Sequence, residues 1–192
     1  YGGVITGAVN LTKSGAGVLA LTTVGGNNSN TYTGATLVSG GRLHLNKTAG
    51  QNAIPGQLDI TSGGLVSFGA NDQIADTASV NVSGATSVFN GLCFNAGQLP
   101  NQQETIANLT VTGGTFQTGS GANWNITGTG SFTGGAGNTI FLGNSNSAIS
   151  FGGLSLTGLT ATPGGTVQTN NSFAIYGGGP AVCTVSVGSG GL

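Results

Sequence analysis

Four carboxylates are the first residues to test for chemistry. Asp59, Asp72, Asp76 and Glu104 are the only acidic side chains among 192 residues. A glycoside-cleaving site needs two carboxyl groups about 5–10 Å apart. Asp72 and Asp76 are close in sequence, in a loop-like stretch that reads NDQIAD. Acidic residues at corners more commonly accept hydrogen bonds from backbone N–H groups, and that is the role expected of all four. A calcium ion would draw on more charged oxygen ligands than this chain offers. Gly134-Gly135-Ala136-Gly137-Asn138 follows the glycine pattern of a calcium-binding nonapeptide, but with Asn where that motif requires Asp. No catalytic, cofactor-binding or metal-binding residue is expected, and the chain is read as a non-enzyme.

His44 is the single histidine. It alternates with Leu43 and Leu45, so its ring is expected to point outward into solvent. The serines are too numerous to define a nucleophile–histidine–acid set. Gly15-Ala16-Gly17-Val18-Leu19-Ala20 fits the string G-x-G-x-x-A, but a dinucleotide fingerprint must open a helix and this segment opens a strand. Tyr32 is expected to be structural rather than a platform for sugar stacking, and most of the phenylalanines, which sit in alternation, are expected in the core. Asn10, Asn27, Asn46, Asn81, Asn108, Asn125 and Asn170 each begin an N-x-S/T triplet. A chain this rich in Asn, Ser and Thr generates such triplets by composition. The pairs Thr31/Thr33, Thr110/Thr112, Thr127/Thr129 and Thr160/Thr162 have the T-x-T form of an ice-binding face. Their irregular spacing argues against that reading, because an ice face needs one stacking period.

The elements that carry these residues are short. Apolar residues alternate with period two, as in Leu43/Leu45, Leu58/Ile60, Val80/Val82 and Leu109/Val111, and the runs end at Gly or Asn corners. No segment reads as a helix of three turns. Glycine numbers 39 and proline only 4, without a triplet period, which excludes collagen. Charged residues make up 4% and the net charge is −1, whereas disordered chains carry high net charge. A surface of stacked Ser, Thr, Asn and Gly side chains is the expected consequence.

Short self-similar strands with Gly-rich corners favour a solenoid over a sandwich or barrel. The fold expected is all-β: a right-handed parallel β-helix, or β-solenoid, with handedness taken from the crossover rule. About 20 residues per coil would give about nine stacked coils. Residues 1–192 are read as one solenoid domain, opening and closing within the repeating pattern as a piece of a longer or assembled chain. Residues 90–105, with Pro100 and several glutamines, read as a loop excursion, and residues 48–56, with Pro55, as a milder interruption.

The composition also limits partners. Lys13, Arg42 and Lys47 are the only basic residues, too few for a nucleic-acid footprint. No apolar run approaches the roughly 20 residues of a membrane-spanning helix. Cys93 and Cys183 would lie four or more coils apart, near 20 Å at about 4.8 Å per layer, beyond disulfide reach. They are read as buried free thiols.

Residues 13–46 resemble the autotransporter-associated β-strand repeat, also called the passenger-associated transport repeat. The residues that carry the resemblance are Gly15 and Gly17, Leu19 and Leu21, Asn30-Thr31-Tyr32-Thr33-Gly34, Thr36 and Val38, Gly40-Gly41, and Leu43 and Leu45. Residues 24–29 are an insertion relative to that pattern, expected to protrude as a longer corner. A looser likeness continues to about Thr127. The resemblance implies a β-helix exported to the bacterial cell surface, with an adhesive or structural role and no catalytic residues. Self-association through the solenoid ends or neighbouring repeats, and contact with surface glycans, follow as expected partners. A carbohydrate-binding or polysaccharide-degrading β-helix is the alternative.

Overall fold

The computed structural model describes residues 1–26, 28–90, 102–118, 121–133, 140–143, 148–157 and 168–169. Among them there is no helix. The strands are β1 (Leu11–Lys13), β2 (Val18–Thr22), β3 (Thr36–Val38), β4 (Arg42–Asn46), β5 (Leu58–Ile60), β6 (Leu65–Phe68), β7 (Ser79–Ser83) and β8 (Val88–Asn90). They continue with β9 (Gln103–Ile106), β10 (Asn108–Thr112), β11 (Thr115–Gln117), β12 (Asn123–Thr133), β13 (Ile140–Gly143), β14 (Ala148–Thr157) and β15 (Gln168–Thr169).

Two sheets result. The first runs β1-β3-β5-β7-β10-β12-β14, with β9 added against β12, and the second runs β2-β4-β6-β8-β11-β13-β15. Every pairing is parallel, so the chain alternates between sheets and climbs one layer per turn. A third side closes each coil. It holds the Ile54–Ile74 bridge and then the ladder from β9 to the first half of β12 and on to the first half of β14. The molecule is the parallel β-solenoid that the alternation predicts.

The coils are longer than expected. Leu11 sits in register with Thr36, then Leu58, Val80, Leu109, Gly130 and Leu154. On the first sheet, interlayer hydrogen bonds span from 21 residues (Thr129 to Asn108) to 29 residues (Asn108 to Ser79), and on the third side Gln73 and Glu104 bond across 31. A given length of chain therefore builds fewer layers than the about 20 residues per coil first assumed. Most strands are three to five residues long, and they keep their register although the coils differ in length, because only strands must match their neighbours.

Period-two alternation decides the core. In the second sheet Leu43, Val66, Phe89 and Phe116 stack inward in one column, and Leu21, Leu45 and Phe68 in the next. In the first sheet the inward columns are Leu58, Val80 and Leu109, and Val38, Ile60, Val82, Val111 and Phe132. Val18 and Leu37, apolar in sequence, occupy the outward parity, and Val18 is left exposed.

One local reading changes and another holds. Of the excursion expected at 90–105, residues 91–101 lie outside the described residues, as do Cys93 and Cys183. Gln103, Glu104 and Thr105, however, belong to β9, paired in register with Asn123, Trp124 and Asn125. Backbone pairing with a long neighbouring strand outweighs the polar, loop-like composition of that segment. Within 24–29, where Asn27 lies outside the described residues, Val24, Gly25 and Gly26 are exposed and both glycines have positive φ, in keeping with the protruding corner expected there. Asn28 Nδ2 donates to the carbonyls of Val24, Gly25 and Gly26, which holds the turn closed.

Gly41 shows how tightly the corners stack. Its φ is +60°, and a Cβ there would strike the carbonyl oxygens of Gly15 and Gly17 in the layer beneath. Gly41→Ala is expected to destabilise the fold by at least about 1–2 kcal/mol from backbone conformation alone. Chemical denaturation of the variant checks this, with Gly50→Ala as the comparison, where φ is +78° but nothing lies within 4 Å.

Candidate functional site

Two places concentrate polar side chains: an interior corner and an exterior face. The corner lies where the second sheet turns into the third side. Gln73 Oε1 accepts the Lys47 backbone N–H at 2.7 Å. Glu104 accepts the next two, from Gln73 N–H at 2.9 Å on Oε2 and from Ile74 N–H at 3.1 Å on Oε1. Each side chain thus closes the backbone of the layer before it. Lys47, Gln73 and Glu104 are all buried. The expectation that Glu104 binds backbone N–H groups holds, but it does so from inside strand β9 rather than from a corner.

Burial governs the electrostatics here. Desolvation raises the Glu104 carboxyl to about 8, against the pull of its two backbone N–H bonds and with a further push from Asp72 and Asp76. Asp72, at a positive φ of 58°, is also raised, mainly by desolvation and then by Asp76. Asp59 lies elsewhere, on the outer face of the first sheet, where Gln57 and Asn81 amides donate to it. The four acids therefore do not converge. Among the described residues no group of three or more His, Cys, Asp or Glu is placed to hold a metal ion.

The lysines are turned inward, which the sequence reading missed. Lys13 occupies the core column of Val38 and Ile60, and its ammonium donates to the carbonyls of Ser14, Gly15 and Gly40 at 2.7–2.9 Å. Lys47 Nζ donates to the carbonyls of Gly3 at 3.2 Å and Thr22 at 3.4 Å, and burial lowers its pKa. Both ammonium groups close the first coils from within. The only available signal was parity: in Leu11-Thr12-Lys13 the lysine shares the inward phase of the leucine.

His44 points outward between Leu43 and Leu45 as expected, but is half-covered rather than freely solvated. Its Nδ1 lies 3.0 Å from Ser67 Oγ. Desolvation and then Arg42 lower its pKa, against the Ser67 bond. Tyr32 is buried and its hydroxyl bonds Thr36 Oγ1, which confirms the structural role. Burial raises its pKa above the usual phenol value. Trp124 packs edge-on against Phe68, Phe89 and Phe116, with ring centroids 5.2–5.5 Å apart. Its Nε1, the Gln102 amide and the Thr118 hydroxyl are buried without a hydrogen-bond partner among the described residues.

The exterior face is that of the first sheet. One outward column runs Thr12, Leu37, Asp59, Asn81, Thr110, Ser131 and Ser155. Two residues along each strand, a second runs Ser83, Thr112 and Thr133. The columns keep their register without slip from β5 through β10 to the second half of β12 and of β14. Side chains brace them: Asn81 Nδ2 donates to Asp59 at 2.8 Å, Asn108 Nδ2 to Ser79 Oγ at 3.2 Å, and the Thr129 N–H to Asn108 Oδ1 at 3.0 Å. This is the stacked Ser/Thr/Asn surface expected from the low charge.

Comparison with known proteins gives no match to a family model, to a curated protein or to a solved structure.

Proposed function

We propose that the chain is an extracellular structural or adhesive module of a bacterial surface protein or fibre. The observation that carries this reading is the continuity of the two parallel sheets, each with a column of buried apolar side chains beneath it. Backbone ladders that run from layer to layer make a stiff rod, and each layer is held by its neighbours. The likeness of residues 13–46 to the autotransporter-associated repeat supports the address. The neutral polar exterior, with 4% charged residues, supports contact with hydroxyl-rich material such as surface glycans.

Stacking of copies end to end is part of the proposal. Strand β1 ends the first sheet, the Tyr1 backbone covers part of β2 through Ala20 and Thr22, and Val9, Val18 and Val24 in the same coil are exposed. Strand edges are templates for pairing, and Lys13, the one charge on β1, is turned inward and does not guard that edge. Immuno-electron microscopy of the native cells is the test. Label on rods or filaments outside the cell supports the reading, and label confined to the cytoplasm overturns it.

A further inference from the structure

We propose that the outer face of the first sheet binds ice, through the hydroxyl and amide lattice of β7, β10, β12 and β14. The irregular T-x-T spacing in the sequence argued against such a face. Of those pairs only Thr110/Thr112 lies in this face, and its neighbours are supplied by strand register rather than by T-x-T spacing. Although the coils are unequal, 21 residues from Asn108 to Thr129 and 29 from Ser79 to Asn108, Asn81, Thr110, Ser131 and Ser155 still stand one above another. Ser83, Thr112 and Thr133 form the parallel column beside them. Regularity is a property of the folded face and is invisible in the linear spacing.

The dimensions fit. Parallel strands repeat at about 4.8 Å, and alternate residues along a strand at about 6.6 Å. In ice each oxygen has tetrahedral neighbours at roughly 2.75 Å, which places oxygens that share a neighbour about 4.5 Å apart. The mismatch of about 0.3 Å per layer is within the swing of a hydroxyl, whose hydrogen rotates to suit its partner. Threonine is stiff at χ1, so binding forfeits little side-chain freedom.

The chemistry favours ice over a sugar polymer. None of the column positions is aromatic, and the surface is an open sheet rather than the concave, aromatic-lined cleft typical of small-ligand sites. No charged side chain occurs after Glu104 in the sequence, so β10, β12 and the outward part of β14 carry none. A lattice that repeats in two directions suits a ligand that does the same. The proposal does not depend on the surface-module reading.

The test is partition into slowly grown ice, using the full 192-residue chain. Thr110→Lys and Ser131→Lys place a charge at the centre of the lattice, and Asn123→Lys places one on the exposed third side. Circular dichroism and melting establish that each variant is folded, and either lattice variant suffices. The expected result is several-fold enrichment of the native chain and of Asn123→Lys in the ice fraction, with the lattice variants excluded. Exclusion of the native chain overturns the proposal, as does equal behaviour of all variants. Retention on insoluble cellulose or chitin without enrichment in ice also overturns it.

Discussion

Glu104→Gln is expected to flatten the dependence of stability on pH. In the native chain the carboxyl keeps its proton up to about 8, whereas in the unfolded chain it ionises near 4.5. Between those values the folded state binds more protons than the unfolded state, so stability falls as pH rises and is lowest above the folded value. The gap amounts to on the order of 5 kcal/mol. Desolvation is the leading cause, and among the described residues no cation is bonded to Glu104 in the corner; the charges of Asp72 and Asp76 raise it a little further. Glutamine removes the titration. Its amide nitrogen cannot accept the second N–H that Glu104 receives from Gln73 and Ile74, so the variant is expected to be weaker below pH 4.5 by about 1 kcal/mol. The two profiles therefore cross. Urea unfolding followed by Trp124 fluorescence across this range reads both limbs, and a flat native profile would contradict the account.

Trp124→Ala is expected to cost about 3–5 kcal/mol, the range for deleting a large buried aromatic side chain. The indole reaches across the coil and meets phenylalanines from three layers, Phe68, Phe89 and Phe116, at 80–87°. Its removal therefore loosens several layers at once. Trp124→Phe should stay within about 1–2 kcal/mol of the native chain, because discarding a buried donor without a partner offsets part of the lost volume. Far-ultraviolet circular dichroism during urea unfolding measures both variants, since the chain has only one tryptophan. Equal losses for Phe and Ala would show that contact with the phenylalanine stack is not what the indole supplies.

The path of the chain was legible because its alternation is simple. Leu43 and Leu45, Leu58 and Ile60, and Val80 and Val82 each announce two inward residues with an outward one between them, and all six are buried. What periodicity does not encode is which residues lie side by side between layers. Glu104 and Trp124 are neighbours in register across twenty residues of polar, glycine-rich sequence, and nothing in either segment names the other. The same gap hid the outer lattice: Thr110, Ser131 and Ser155 look unrelated until the strands are aligned. Lys13 and Lys47 were hidden differently. Composition treats a lysine as surface, while parity and the carbonyls of the first coils draw both inward.

The unequal coils bear on how such a chain changes over generations. A turn that spans 21 residues and one that spans 29 deliver their strands to the same columns. Insertions and deletions at the corners are therefore nearly silent, while a single-residue slip within a strand would turn its whole face over. Drift in length collects where it does no harm, and copies of the unit can diverge beyond recognition by sequence while their surfaces stay superimposable.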